Sequence, residues 1–368
     1  MIIHYSKYDS DDLGNGALRR TYQVKTLLSK TEEKILSISN PPRFENNVNY
    51  IKRLKIGYQF YRFFNTNIFD FKTFNLKIIK YNVYNIIAWR KWLIELKEVH
   101  ENLTVVYELS WHSDYALVYV CNQLNIKVIG LPHNLESLVQ GQKSPVNNIN
   151  TPYWFDQELK LLSTCDRVFT ISKEEQWLLS LYGVSSNYLP YVPSQKVIDF
   201  CGEIRRQRLQ SKKTYYLSIG TASNPPTLEG FKVLISYFND NKIEEELLIG
   251  GYQTELIKNV VNQITSNIKI LGTLEETELK QLMINCKAII IYQLPTTGAL
   301  TKIPEILLSG IPIICNTVAA RNYFNTKGVY VYDSKENLIE LIKNKDIDSN
   351  FDYNLLDDSE SFLRTINN

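Results

Sequence analysis

The chain has 368 residues, 22% of them charged, with a formal net charge of +2 at pH 7. That length predicts about two ordinary domains rather than one small core, and so small a net charge makes no demand for nucleic acid. No window approaches the roughly 18 apolar residues of a membrane span. The five cysteines, Cys121, Cys165, Cys201, Cys286 and Cys315, are scattered and set mostly in apolar runs, which predicts reduced core thiols in a cytosolic protein.

In chain order, Met1 to Tyr5 reads as a first strand, since no basic start leads into a long apolar run as in a signal peptide. Asp12-Leu13-Gly14-Asn15-Gly16-Ala17-Leu18-Arg19-Arg20 follows and opens a helix, with Gly14 and Gly16 allowing backbone to approach a ligand. It is no dinucleotide fingerprint: Arg19 holds the third glycine position, and the next strand, Lys34 to Ile38, leads to Ser39-Asn40 without a ribose-binding acid. A nicotinamide or flavin cofactor is therefore not expected.

Residues 50–94 carry nine Lys or Arg against Asp70 alone, interleaved with thirteen aromatics that include Phe60, Tyr61, Phe63, Phe64, Trp89 and Trp92. Such a helix suits an anionic membrane interface or a lipid-linked substrate. The plainer alternative is a helical insert that buries its aromatics and solvates its basic face.

Strands then fall at Leu103 to Leu109, Lys127 to Leu131 and Arg167 to Ile171, with helices between them. Leu131-Pro132-His133-Asn134-Leu135-Glu136-Ser137 places His133 and Glu136 at the carboxyl edge of a sheet. Strand-end loops carry function on rigid scaffolds, although a lone histidine is also a common structural residue. The four histidines, His4, His100, His112 and His133, and the cysteines lack metal-ligand spacing, so no metal site is expected.

Tyr188-Leu189-Pro190-Tyr191-Val192-Pro193-Ser194 reads as an extended linker between two halves. The second half repeats the scheme, with strands at Tyr215 to Ile219, Glu246 to Ile249, Ile268 to Leu271, Lys287 to Tyr292, Pro312 to Cys315 and Val329 to Tyr332. The pattern predicts an α/β protein of two facing Rossmann-like, doubly wound parallel-sheet domains, residues 1–192 and 193–345, with 346–368 as a tail packing back on the first. Ligands of such sheets bind at the carboxyl ends of the strands.

Gly220-Thr221-Ala222-Ser223-Asn224-Pro225-Pro226-Thr227 repeats the strand, glycine turn and helix theme. The fullest version runs from Ala288 to Tyr292 through Pro295-Thr296-Thr297-Gly298-Ala299-Leu300-Thr301 into Lys302-Ile303-Pro304-Glu305. A helix start offers backbone N–H groups and a positive dipole end to a diphosphate. Lys302 and Glu305, three apart, share one face, and Pro304 is tolerated in a first turn. An ordinary α/β turn with a surface Lys and Glu is the alternative. Asp346-Ile347-Asp348 has no strand before it and reads as solvated charge rather than a cation site.

Taken together, these motifs resemble the retaining GT-B glycosyltransferases, the nucleotide-sugar transferases of the group 1 kind, over nearly the whole chain. The most specific part is Gly298-Ala299-Leu300-Thr301-Lys302-Ile303-Pro304-Glu305 with Ser309-Gly310-Ile311-Pro312, which looks like the family's donor helix. The resemblance implies that Glu305 binds the donor ribose, that Gly298, Ala299, Leu300 and Thr301 offer N–H groups to the diphosphate, and that Lys302 lies beside it. It implies that His133 contacts the donor sugar, that Gly14 and Gly16 approach diphosphate or sugar, and that Gly220 and Thr273 line the nucleotide, the base resting near Gly272-Thr273-Leu274.

The donor, a UDP or GDP sugar, would be the substrate, with no cofactor and no metal. The acceptor would be a glycan or lipid-linked sugar, and the protein cytoplasmic or peripheral to a membrane. Two departures stand out: Thr297 occupies the position of the family's paired acid, and the 220–230 loop lacks Arg and Lys. They favour a non-catalytic GT-B subunit as the rival expectation, and a nucleotide-sugar epimerase or hydrolase is a further rival.

Overall fold

Apolar strands alternating with helices fold into two parallel sheets of six strands each. The computed structural model describes all residues except 44–47, 66–74, 111–112, 242, 344–346, 348–349 and 368. Two compact units emerge, Met1–Tyr191 with Asp357–Asn368, and Val192–Leu356.

The first unit runs β1 (Ile2–Tyr5), α1 (Gly16–Leu28), β2 (Ile35–Ile38), α2 (Tyr50–Phe64), α3 (Leu76–Val99), β3 (Thr104–Leu109), α4 (Tyr115–Gln123), β4 (Lys127–Pro132), α5 (Phe155–Ser163), β5 (Arg167–Thr170), α6 (Lys173–Leu181) and β6 (Ser186–Tyr188). The order across the sheet is β2-β1-β3-β4-β5-β6. The strand order thus reverses between β1 and β3, the topological switch point where such sheets bind ligands. Both faces are covered, which is why the strands read as apolar runs: Ile3, Tyr5, Val105 and Tyr107 pack on one side and Ile2, Val106, Ile129 and Leu131 on the other.

The second unit runs α7 (Gln195–Arg208), β7 (Tyr215–Ile219), α8 (Pro225–Asp240), β8 (Leu247–Gly250), β9 (Ile268–Gly272), α9 (Glu276–Asn285), β10 (Cys286–Ile291), α10 (Lys302–Leu308), β11 (Ile313–Asn316), α11 (Thr317–Ala320), β12 (Val329–Tyr332) and α12 (Lys335–Lys343). Its order is β12-β11-β10-β7-β8-β9, with the switch point between β7 and β10. Gly230 on α8 shows how closely that helix approaches the end of β10: an added Cβ would lie 2.4 Å from the Tyr292 carbonyl oxygen.

Two boundaries differ from the sequence expectation. A short edge strand, β6, pairs Ser186, Asn187 and Tyr188 with Val168, Phe169 and Thr170 before the linker begins. The tail divides later than residue 346: Phe351 is buried in the second unit's core, and Arg205 donates to its carbonyl at 2.7 Å. Beyond it, α13 (Ser359–Asn367) packs within the first unit, Phe362 edge-on against Phe169 at 5.3 Å. Asp346 and Asp348 of the D-x-D triplet, and residues 66–74 of the basic segment, lie outside the described residues.

Candidate functional site

In the first unit, a fully buried carboxylate, Glu108 at the end of β3, sits at the switch point. Glu108 Oε1 pairs with His4 Nε2 at 2.5 Å, while Oε2 pairs with His133 Nε2 at 2.6 Å and accepts from Thr21 Oγ1 at 2.7 Å. Burial alone would raise the Glu108 carboxyl, but hydrogen bonds and charge from His133 and His4 reverse that and hold it below the usual carboxylate range. Of the two imidazoles, His4 is wholly sealed and His133 keeps 8% of its surface exposed, with the Tyr8 ring 5.4 Å away.

Two further buried carboxylates strap the loop that carries His133. Leu135 N donates to Glu175 Oε1 at 2.9 Å, and Glu136 N and Ser137 N donate to Glu158 at 2.9 and 3.0 Å. The imidazole is thus placed by the rigid scaffold on two sides, by Glu108 and by its own loop.

The Gly14–Gly16 loop is spent differently. Asn15 caps α1, its side chain accepting from Ala17 N at 3.0 Å and Leu18 N at 3.3 Å, while Arg19 Nε donates to Gly14 O at 2.7 Å. An added Cβ on Gly14 would lie 2.5 Å from Leu18 Cδ1, so this glycine answers internal packing as well.

In the second unit, Lys302 opens α10 and reaches the switch point, where its Nζ donates to Ile219 O at the end of β7 at 3.1 Å. Its hydrogen-bond partner is therefore a neutral carbonyl. It lines a small cavity with Ser218, Thr227, Gly230, Tyr292 and Gln293. Burial lowers its pKa to about 8. Gly220 sits beside it, an added Cβ there falling 3.9 Å from Lys302 Nζ.

The neighbouring helix start on α8 offers less than its sequence promised. Pro225 and Pro226 occupy its first turn and lack N–H groups, and Thr227 N and Leu228 N already donate to Asn224 O.

Before α10, the Thr297–Thr301 loop turns through Gly298 at φ +77°. Its carbonyls are held by Arg321, which donates to Thr297 O and Gly298 O at 2.9 Å each. Thr301 precedes α10 without a side-chain cap, and Glu305 sits in the first turn, partly exposed. Ala299 and Leu300 are partly buried between them.

Thr273 lies past β9, two strands from β7 across the sheet, or about 10 Å at the usual strand spacing. Its hydroxyl accepts from Gln253 N at 3.0 Å, and Leu274 folds over Gly250.

The structure thus brings Gly220, Lys302 and the 297–301 loop to one switch point, and His133 to the other. Glu108, Thr21 and Arg321 were missed by sequence reasoning; a glutamate inside the apolar run Val105-Val106-Tyr107-Glu108-Leu109 was the available signal. Among the described residues, no group of three or more His, Cys, Asp or Glu could hold a metal ion, and no helix is long and apolar enough to cross a membrane.

No family model and no curated protein matches this chain. Its fold does match solved structures. HepE from Anabaena, crystallised with UDP, is 12% identical with a TM-score of 0.55, the match covering 93% of this chain and 88% of that one. Trehalose 6-phosphate synthase from Burkholderia multivorans is 11% identical with a TM-score of 0.54, over 93% and 87%. A glycosyltransferase from Rickettsia africae is 13% identical, also at 0.54, over 93% and 86%. The fold is that of the GT-B proteins. UDP-GlcNAc 2-epimerase from Methanocaldococcus jannaschii shares it at 14% identity and a TM-score of 0.50, over 100% and 98%.

Proposed function

We propose that this GT-B protein is a glycosyltransferase that moves a sugar from a nucleoside-diphosphate sugar to a hydroxyl of a glycan or lipid-linked saccharide. One observation carries the reading: Lys302, partly buried at the switch point of the second sheet, has a neutral carbonyl for a partner. A desolvated ammonium in that position is best satisfied by an anion. On this proposal the N–H groups of the 297–301 loop also face the diphosphate, and the nucleoside extends toward Thr273.

In this reading Glu305 accepts from the ribose hydroxyls, and Gly298, Ala299, Leu300 and Thr301 face the diphosphate. Lys302 and these backbone donors offset the charge that grows on the leaving nucleotide as the glycosidic bond breaks, with no metal required. The first unit binds the acceptor, while His133 contacts the donor sugar and Gly14 and Gly16 approach the diphosphate or sugar. Transfer proceeds with retention, the leaving diphosphate accepting the proton of the incoming hydroxyl. A cytoplasmic, membrane-peripheral setting fits α2, which exposes Ile51, Leu54 and Tyr58 beside Lys52, Lys55 and Arg62.

Titration calorimetry with UDP and GDP tests the reading. Micromolar to millimolar binding is expected, together with its loss in Glu305→Ala at unchanged melting temperature. Wild-type affinity in that variant refutes the site, and no binding of either nucleotide leaves only the fold. Product anomers read by NMR decide retention, activity in EDTA decides the metal, and salt-sensitive binding to anionic vesicles decides the membrane contact. The non-catalytic alternative draws on Thr297, which stands in place of a carboxylate; it predicts no sugar transfer from any nucleoside-diphosphate sugar, whereas an epimerase or hydrolase would act on the donor without an acceptor.

A further inference from the structure

One short segment grips the loop before α10 by its carbonyls. Arg321, just after α11, donates Nε to Gly298 O at 2.9 Å and Nη2 to Thr297 O at 2.9 Å and to Gly298 O at 2.5 Å. Asn322 Nδ2 adds a 3.3 Å bond to Gly298 O, and Tyr323 Oη a 3.4 Å bond to Leu300 O. The grip is anchored outside the loop. Arg321 Nη1 also donates to Val318 O at 2.5 Å. Asn316, which caps α11, is tied to the end of β10 by two bonds with Gln293, its Oδ1 accepting at 3.0 Å and its Nδ2 donating at 2.8 Å.

Peptide planarity turns this grip into a direction. In a trans peptide the C=O and the next residue's N–H point opposite ways. Carbonyls of Thr297, Gly298 and Leu300 drawn toward residues 321–323 therefore turn the N–H groups of Gly298, Ala299 and Thr301 away from them. A guanidinium on a carbonyl also polarises the peptide unit and strengthens what its N–H can donate.

We propose that Arg321 is a positioning residue of the donor site: through the 297–301 peptides it presents and polarises the N–H groups that receive the pyrophosphate. This rests on the donor reading above. It also accounts for a 220–230 loop without Arg or Lys. Lys302 meets the anion directly, and the second positive charge reaches it through backbone.

The test compares UDP with uridine, and GDP with guanosine, on wild type and on Arg321→Gln, Arg321→Lys and Tyr323→Phe, with melting temperatures. The diphosphate affinity is expected to fall at least about tenfold in Arg321→Gln. Arg321→Lys should recover little of it, because an ammonium cannot span three carbonyl bonds. Tyr323→Phe, the milder variant that keeps the test open if Arg321→Gln does not fold, should lose two- to threefold. Nucleoside affinity should not move in any of them. Parallel loss of nucleotide and nucleoside affinity gives Arg321 a packing role and overturns the inference, as does unchanged diphosphate affinity. Wild-type protein that binds no nucleoside diphosphate removes the donor reading itself, and this inference with it.

Discussion

The two glycine-bearing loops at the switch points are built alike and finished differently. In each, an arginine holds carbonyls: Arg19 takes Gly14 O and Leu13 O, and Arg321 takes Thr297 O and Gly298 O. The first loop then spends its helix-start donors on itself, because Asn15 accepts from Ala17 N and Leu18 N. The second leads into α10 with no side-chain cap and with Lys302 alongside, bonded to a carbonyl. A strand, a glycine turn and a helix thus recur with different finishes. Asn15 caps the first turn; in the second, Ile303 N donates to Leu300 O and Pro304 has no N–H, and the proposed diphosphate would meet Lys302 and the loop N–H groups. The buried polar network of the first unit lies one strand away, on the carboxylate that gathers His4, His133 and Thr21.

The largest effect expected from breaking this contrast lies at that carboxylate. Glu108→Ala leaves two imidazoles and the nearby Arg20 without their buried anion and should cost about 3–5 kcal/mol of stability. Denaturant unfolding followed by tryptophan fluorescence reads this directly, since Trp89, Trp92 and Trp154 all lie in the first unit. UDP affinity measured under native conditions should change little. Next is Lys302→Met, which should cost about 2–3 kcal/mol of UDP binding, the weight of a charge-assisted bond, while leaving the melting temperature within a few degrees. Calorimetry that finds UDP affinity intact in that variant would equate the two loops.

Much of the frame was legible because parallel strands buried on both faces leave continuous apolar runs such as Ala288-Ile289-Ile290-Ile291. β6 escaped because three edge residues, Ser186-Asn187-Tyr188, form no such run. His133 and Lys302 could be found from their place after strands. Their partners could not. His4, Glu108 and His133 meet only through register, with His4 beside Val106 and Glu108 beside Leu131. Arg321 lies beyond α10, β11 and α11 from the loop it holds, with no local spacing to announce it. Asn15 was legible as a cap by residue type, an asparagine just before a helix start.

Proton linkage gives a smaller, signed test of the second loop. Burial depresses Lys302 to about 8 in the ligand-free protein, and a bound diphosphate favours the charged amine. Below that value the amine is already protonated and UDP affinity should be flat. Above it, binding must take up a proton, so affinity should fall by up to tenfold per pH unit toward the ordinary lysine range. Calorimetry at pH 9 in buffers of different ionisation enthalpy should show net proton uptake in wild type and none in Lys302→Met.

The smallest effect sharpens the contrast from the other side. Asn15→Ala removes a side-chain acceptor from two helix-start N–H groups, a loss worth about 1 kcal/mol of stability at a typical N-cap. If the Asn15 loop is a structural turn, the variant should melt a few degrees lower and bind UDP within about twofold of wild type. A fall in UDP affinity comparable to that of Lys302→Met would mean that both loops receive the nucleotide. The difference in capping would then have no functional meaning.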